Sequence, residues 1–205
     1  PQNDDWDWID AIQMGMPVFA KMGVLDKDPR YFEKMYEMYM ESRNIIGGKG
    51  LYNAQDGLWW RDADFDPPYK EPNGEDSYWS RGNGWVIAAL AKTLSILPEE
   101  APHREQYVED LQAMAKALKK VQRPDGIWNV SLHPTHFGGK ETSGTALFVY
   151  GIAYGINNNL LDRETYLPVI TKAWNAMISD SVHENGFLGW LQSTGKEPKD
   201  GQPLR

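Results

Sequence analysis

The segment from Tyr78 to Trp85 contains residue types that would suit the binding of an acidic sugar. Arg81 has Trp79 two positions before it and Trp85 four positions after it. A guanidinium group holds a carboxylate by two parallel hydrogen bonds, and a flat aromatic ring packs against the C–H face of a pyranose. This combination predicts a site for a sugar acid. An arginine that ties loops together would give the same pattern, so the residues alone leave both interpretations open.

Asp10 is the second candidate, because it lies within an apolar helical pattern. The pattern predicts a helix from Trp6 to Met22, which places Asp10 four residues after Trp6 and four before Met14. A carboxyl group between large apolar side chains loses hydration, which raises its pKa and suits a general acid. A buried aspartate that caps a loop or pairs with an arginine is the alternative.

The histidines and the acidic residues do not form a recognisable metal site. His136 lies in a loop, where it is either a donor to a substrate or a surface histidine. The run Asp62, Asp64 and Asp66 resembles the start of a calcium loop, but Pro67 stands where that loop needs glycine. We therefore predict a solvated acidic face, no metal and no cofactor.

Composition excludes several classes of protein. The chain has 205 residues, enough for one domain covering residues 1–205, and a net charge of −8. This charge argues against a nucleic-acid partner, since no basic field would attract phosphates. No apolar run approaches the ~18 residues of a membrane span. Cysteine is absent, which removes thiol chemistry, and the cellular location cannot be read from the sequence.

Hydrophobic periodicity predicts six helices in three pairs. Their approximate ranges are 6–22, 28–46, 86–97, 102–121, 145–161 and 163–179. Each pair is followed by a similar short segment in which a glycine precedes a tryptophan by two to four residues. These segments, called glycine–aromatic phrases below, begin at Gly57, Gly126 and Gly186. The chain therefore reads as three helical hairpins of an all-α protein. Their long period, with large loops after each second helix, favours a toroid over a solenoid. Three hairpins cannot close such a ring, so we predict a fragment of a larger catalytic domain.

Three motifs give the chain a family resemblance. Residues 8–14, 79–85 and 141–146 are similar to segments of the unsaturated rhamnogalacturonyl hydrolases, glycoside hydrolase family 105, which is related to the unsaturated glucuronyl hydrolases of family 88. The second motif, Trp-Ser-Arg-Gly-Asn-Gly-Trp, is the most specific. The resemblance implies an (α/α)6 barrel, a six-hairpin toroid of which this chain supplies about three hairpins.

The resemblance also implies a reaction. An unsaturated uronic acid with a C4=C5 double bond would be released from the non-reducing end of lyase-generated pectin (rhamnogalacturonan) oligosaccharides, by hydration of the vinyl ether. Asp10 would donate the proton and then activate water, Arg81 would hold the uronate carboxylate, and Trp85 would form a stacking wall. Further substrate contacts are expected from Arg61, Trp79, Trp60 and His136.

One position departs from the family pattern, and three other functions compete with this reading. Some family members carry a histidine where this sequence has Arg61, which leaves the sugar and linkage undetermined. The competing functions are an unsaturated glucuronyl hydrolase acting on glycosaminoglycan fragments, a carbohydrate-binding protein without catalysis, and a helical scaffold for protein partners. A groove containing tryptophan and arginine favours the first two of these three.

Overall fold

Six α-helices make up most of the computed structural model, which describes residues 1–133 and 139–195. Their bounds are α1 Ile9–Asp26, α2 Arg30–Asn44, α3 Ser80–Ile96, α4 Arg104–Val121, α5 Thr142–Asn157 and α6 Arg163–Asp180. All six predicted helices are present, and the all-α class is confirmed. No helix in the described part of the chain combines the length and the apolar character needed to cross a membrane.

Two short antiparallel ladders lie in the connections between hairpins. Strand β1 (Tyr52–Asn53) pairs with β2 (Leu58–Trp59), and β3 (Trp128–Asn129) pairs with β4 (Lys140–Glu141). Single 3-10 turns occur at Asn3–Asp5 and Ile46–Gly48. These ladders fold the glycine–aromatic phrases back towards the helices.

The helices form three hairpins arranged in two layers. Helix α3 packs against both α1 and α5, and each of these three also packs against the helix that follows it. Twelve of the 17 residues of α3 are buried, which identifies it as the centre of the inner layer. One hydrophobic core extends from Ile9 on α1 to Ala173 on α6. The inner helices all start at the same end, because each is connected to the next through an antiparallel outer helix.

The glycine–aromatic phrases hold the starts of the inner helices. In each phrase the carbonyl four residues after the glycine accepts a hydrogen bond from the first residue of the inner helix of the same hairpin. The bonds are Ile9 N to Arg61 O at 3.0 Å, Ser80 N to Val130 O at 2.7 Å and Thr142 N to Trp190 O at 2.9 Å. The repeat seen in the sequence is therefore a repeated helix-start contact, and it brings the long loops to one rim.

A second repeated bond joins each phrase to the next hairpin. The backbone amide of Trp59 donates to Asn83 Oδ1 at 2.9 Å, and that of Trp128 donates to Thr145 Oγ1 at 3.1 Å. Asn83 and Thr145 are the fourth residues of α3 and α5. Each of the first two phrases thus fixes its own inner helix and the following one.

The start of α3 differs from the prediction. The glycines suggested a turn before a helix beginning at Val86, but the helix already begins at Ser80. Gly84 faces α5, where an added Cβ atom would lie 2.9 Å from Leu147. At Gly144 on α5 an added Cβ atom would lie 2.2 Å from Ser80 Oγ. The low helix propensity of glycine is overridden here because only glycine lets the inner helices approach so closely.

The first helix also differs at both ends. It begins at Ile9, so Trp6 precedes it, and it ends at Asp26 instead of near Met22. Gly23 lies inside the helix, where an added Cβ atom would be 2.4 Å from the ring of Phe32. This glycine therefore makes room for α2 and does not end α1.

Candidate active site

A cavity of about 350 Å³ lies at the N-terminal ends of α1 and α3. Its lining residues are Trp8, Asp10, Met14, Arg61, Trp79, Arg81, Trp85, Thr194 and Gly195. Five of the seven side chains selected from the sequence are among them. A wider surface hollow of about 460 Å³ lies at the other end of α5, and none of the selected residues lines it. The cavity at the inner-helix starts is therefore the candidate active site.

Asp10 is the second residue of α1 and is half-buried at the cavity wall. The sequence predicted that Trp6 and Met14 would share its helical face. Met14 does line the cavity. Trp6 precedes the helix, and its ring packs against Gly15, where an added Cβ atom would lie 2.4 Å from it. Only one side of the predicted apolar environment is therefore present, and Trp8 supplies another aromatic ring at the wall.

The Asp10 carboxyl group has one buried oxygen, Oδ2, without a hydrogen-bond partner in the described residues. Burial raises the pKa of Asp10 above its ordinary value, although its own backbone amide and the guanidinium groups of Arg61 and Arg81 act in the opposite direction. The protonated form is thus favoured more than in a solvated aspartate. A carboxyl group of this kind can donate a proton to a bound ligand.

Arg81 contacts both the cavity and the segment that follows the third hairpin. Its Nη1 donates to the carbonyl of Gln192 at 2.7 Å, and its Nη2 donates to the carbonyl of Ser193 at 3.2 Å. Its guanidinium group lies 4.8 Å from the ring centroid of Trp79. Burial lowers the pKa of Arg81. The loop-tying role considered from the sequence is therefore present in addition to the cavity position.

Arg61 is buried beside Asp10 and is held on three sides. Its Nε donates to the carboxylate of Asp62. Its guanidinium carbon lies 4.5 Å from the ring centroid of Trp8 and 4.6 Å from that of Phe65. The aromatic rings and the carboxylate together fix the plane of this side chain.

The prediction of a solvated acidic face is wrong for two of its three members. Asp62 and Asp66 are buried, while Asp64 is exposed. Asp62 pairs with Arg61, and Asp66 Oδ2 lies 3.7 Å from Lys49 Nζ. These pairs were not visible from the spacing of the acidic residues, because the cations come from outside the run.

The tryptophans selected from the sequence separate into two groups. Trp79 and Trp85 line the cavity, and Trp79 Nε1 donates to Gln192 Oε1 at 2.8 Å. Trp60 does not line it: the ring is buried and stacks on Tyr78 with 5.9 Å between centroids. His136 lies outside the described residues.

Trp8 was missed as a site residue, although its position two residues before Asp10 was a usable signal. The side chain is 49% exposed, which is unusual for a tryptophan next to a buried helix start. It lines the cavity and covers one face of Arg61. The wall thus contains three tryptophans rather than the two predicted from the motif around Arg81.

Glu141 links the third inner helix to the cavity segment. It is fully buried at the N-cap of α5 and accepts from the amides of Ser143 at 3.1 Å and Gly144 at 2.6 Å. The amide of Gln192 also donates to it, at 3.2 Å. A carboxylate at this position stabilises the helix, because it accepts from the free first amides and its charge interacts favourably with the positive end of the helix dipole. Glu141 therefore positions the same segment that Arg81 holds.

The sequence model of Glycosyl Hydrolase Family 88 matches residues 1–203. The chain belongs to this family. The unsaturated 3S-rhamnoglycuronyl hydrolase of Formosa agariphila is 37% identical over 200 residues, which cover 95% of this chain and 52% of that protein. The predicted relationship to families 105 and 88 is confirmed.

Solved structures confirm the fold of this family 88 chain. A glycosyl hydrolase family 88 structure from Bacteroides vulgatus superposes with a TM-score of 0.90 at 41% identity, covering 98% of this chain and 57% of that one. A Salmonella enterica structure, described as a possible member of the GH105 family, gives a TM-score of 0.75 at 27% identity, covering 94% and 49%. The three hairpins are thus part of an (α/α)6 barrel, and the chain spans about half the length of these relatives.

Proposed function

We propose that the intact protein is a hydrolase that releases a C4=C5 unsaturated uronic acid from the non-reducing end of an oligosaccharide. The neighbouring sugar in this proposal is rhamnose, as in lyase-generated rhamnogalacturonan fragments. Family membership supports the reaction type, and the name of the Formosa agariphila relative, a rhamnoglycuronyl hydrolase, supports the rhamnose.

The observation that carries the proposal is the environment of Asp10. Among the described residues, a single carboxyl group with an unpartnered buried oxygen faces a cavity that also contains two guanidinium groups and three tryptophans. The arginines supply the positive charge that a uronate carboxylate requires, and the rings suit the faces of the sugar. A neutral sugar offers no negative charge to match these two cations, whereas a uronate does.

The proposed chemistry requires only one carboxyl group. Asp10 donates its proton to C4 of the vinyl ether, and the positive charge that develops at C5 is shared with the ring oxygen. Asp10, now a carboxylate, takes a proton from water as the water oxygen adds to C5. The resulting hemiketal opens by breaking the C5–O5 bond, with its hydroxyl proton passing to O5. The hemiacetal left at C1 then breaks down to an aldehyde, and its hydroxyl proton leaves with the oxygen of the released neighbouring sugar. An ordinary glycosidase needs a second flanking carboxylate because it cleaves the bond at C1 directly.

The substrate is tested by ultraviolet absorbance. The intact protein is expected to remove the absorbance of unsaturated rhamnogalacturonan oligosaccharides, because hydration destroys the double bond conjugated to the carboxylate. Saturated oligosaccharides of the same length are the matched control and should stay intact. Faster turnover of unsaturated glycosaminoglycan fragments would favour the competing glucuronyl specificity, and binding without turnover would favour a non-catalytic carbohydrate-binding protein.

The pH dependence follows from the raised pKa of Asp10. The proton donor is the acid form, so kcat/KM is expected to fall as the pH rises through that pKa, and to be higher on the acidic side. The raised pKa keeps the donor protonated at a higher pH than an ordinary aspartate. Melting temperatures across the same range control for unfolding. A kcat/KM that rises through this region instead would contradict proton donation by Asp10.

A further inference from the structure

The two cavity arginines differ in which of their nitrogens are already bonded. Both terminal nitrogens of Arg81 donate to backbone carbonyls, those of Gln192 and Ser193. Arg61 has the opposite arrangement, since within residues 1–133 and 139–195 only its Nε is bonded, to Asp62. Its terminal nitrogens have no acceptor in the described part of the chain, and neither is a buried atom without a partner. They therefore reach the open space of the cavity that Arg61 lines.

The free end of Arg61 is also rigid. The guanidinium carbon lies over the rings of both Trp8 and Phe65, at 4.5 and 4.6 Å from their centroids, and Nε is bonded to Asp62. A planar fork that is already fixed loses little side-chain entropy when it binds a carboxylate, so its hydrogen bonds contribute more fully to affinity. Of the two arginines, only Arg61 combines a fixed plane with two terminal nitrogens that bond to none of the residues that the structure describes.

We propose that Arg61 is the specificity-determining residue that binds the uronate carboxylate through its two terminal nitrogens. Arg81 is then a positioning residue: it holds the segment from Trp190 to Gly195, two residues of which, Thr194 and Gly195, line the cavity. This assignment rests on the proposed function and reverses the roles that the family resemblance implied for the two arginines. It also places the carboxylate beside Asp10.

The test compares an unsaturated rhamnose-linked disaccharide with its uronate methyl ester, which lacks the charge and one acceptor oxygen. We expect the intact protein to prefer the free acid by about 100-fold in kcat/KM, the size expected for losing a buried charged hydrogen-bonded pair. Arg61→Gln should reduce this preference to below about 5-fold. Arg81→Gln should keep the preference and weaken the turnover of both compounds equally, because it loosens a cavity wall. Loss of the preference in Arg81→Gln alone would overturn the assignment.

Two further variants keep the test decisive. Arg61→Gln leaves Asp62 buried without its partner, so the double variant Arg61→Gln/Asp62→Asn removes both charges and should fold where the single variant does not. It is expected to show the same loss of preference, and a retained preference would refute the role of Arg61. Arg30→Gln is the matched charge control, because Arg30 is exposed and pairs with Asp28 far from the cavity.

A binding measurement distinguishes failure of the carboxylate site from failure of the proposed reaction. Quenching of the cavity tryptophans reports affinity without turnover, and the same two compounds serve as probes. Tighter binding of the free acid that depends on Arg61, in a protein that leaves the double bond intact, would support the carboxylate site and refute the hydrolase. Turnover with equal affinity for acid and ester would refute the carboxylate site alone.

Discussion

Asp10→Asn is expected to lower kcat by about 1,000-fold, within the range for removing a general acid–base group. The amide cannot donate an acidic proton or take one from water. Substrate affinity should change by only a few-fold, since the guanidinium groups and the aromatic walls remain. The variant should melt at or above the wild-type temperature at neutral pH. The reason is that burial raises the pKa of Asp10, so its ionised form weakens the folded state above that pKa, and the neutral amide removes this effect.

The matched control for this variant is Asp7→Asn. Asp7 is exposed, lies three residues before Asp10 and is not part of the cavity lining. Its substitution should leave kcat and KM unchanged. Initial rates on the unsaturated oligosaccharide and a thermal melt are sufficient measurements. Wild-type turnover in Asp10→Asn would show that another group donates the proton.

Asn83→Ala is expected to lower the free energy of unfolding by about 3–5 kcal/mol, because it leaves the buried backbone amide and carbonyl of Trp59 without their partner. Asn83 is fully buried. Its Oδ1 accepts from Trp59 N at 2.9 Å, and its Nδ2 donates to Trp59 O at 2.9 Å and to Trp79 O at 3.0 Å. The side-chain amide of Asn83 therefore bonds both backbone groups of Trp59, as a neighbouring strand would. Urea unfolding followed by circular dichroism measures the loss.

An exposed asparagine on the same scaffold provides the comparison for Asn83. Asn157 is exposed at the last residue of α5. Asn157→Ala should change the free energy of unfolding by no more than about 0.5 kcal/mol. Equal stability losses in the two variants would mean that the bonds of Asn83 contribute nothing specific. Asn83→Asp should also destabilise, because a carboxylate cannot donate to the two carbonyls.

The helices and their pairing were predictable because they depend on local patterns. Apolar spacing located all six, and a local side chain also caps α6: Asp162 Oδ2 accepts from Thr165 N at 2.7 Å. The start of α3 was not predictable from local preference. Gly82 and Gly84 disfavour a helix on their own, and the helix there depends on close contact with Ile9 and Leu147 from other helices.

The sequence predicted most of the residues of the candidate site, but it did not predict the role of each one. Asp10, Arg61 and Arg81 do meet at one cavity. The sequence did not reveal which arginine has free nitrogens, because the carbonyls that occupy Arg81 come from residues more than 110 positions away. Trp60 and Arg61 are adjacent in the chain, yet Trp60 is buried in the core and Arg61 lines the cavity. In extended backbone successive side chains point to opposite sides, so a shift of one residue moves a side chain from one to the other.

The repeated bonds of the glycine–aromatic phrases have a consequence for how the protein unfolds. The stretch from Trp59 to Arg61 bonds to the start of α1 through the carbonyl of Arg61, and to Asn83 on α3 through the amide and carbonyl of Trp59. One hairpin therefore cannot open without releasing the first turn of its neighbour. Asp10 and Arg81 are the second residues of the two helices joined in this way. Local opening and loss of the reactive geometry are thus a single cooperative event, so backbone amides at both helix starts should exchange their hydrogens together.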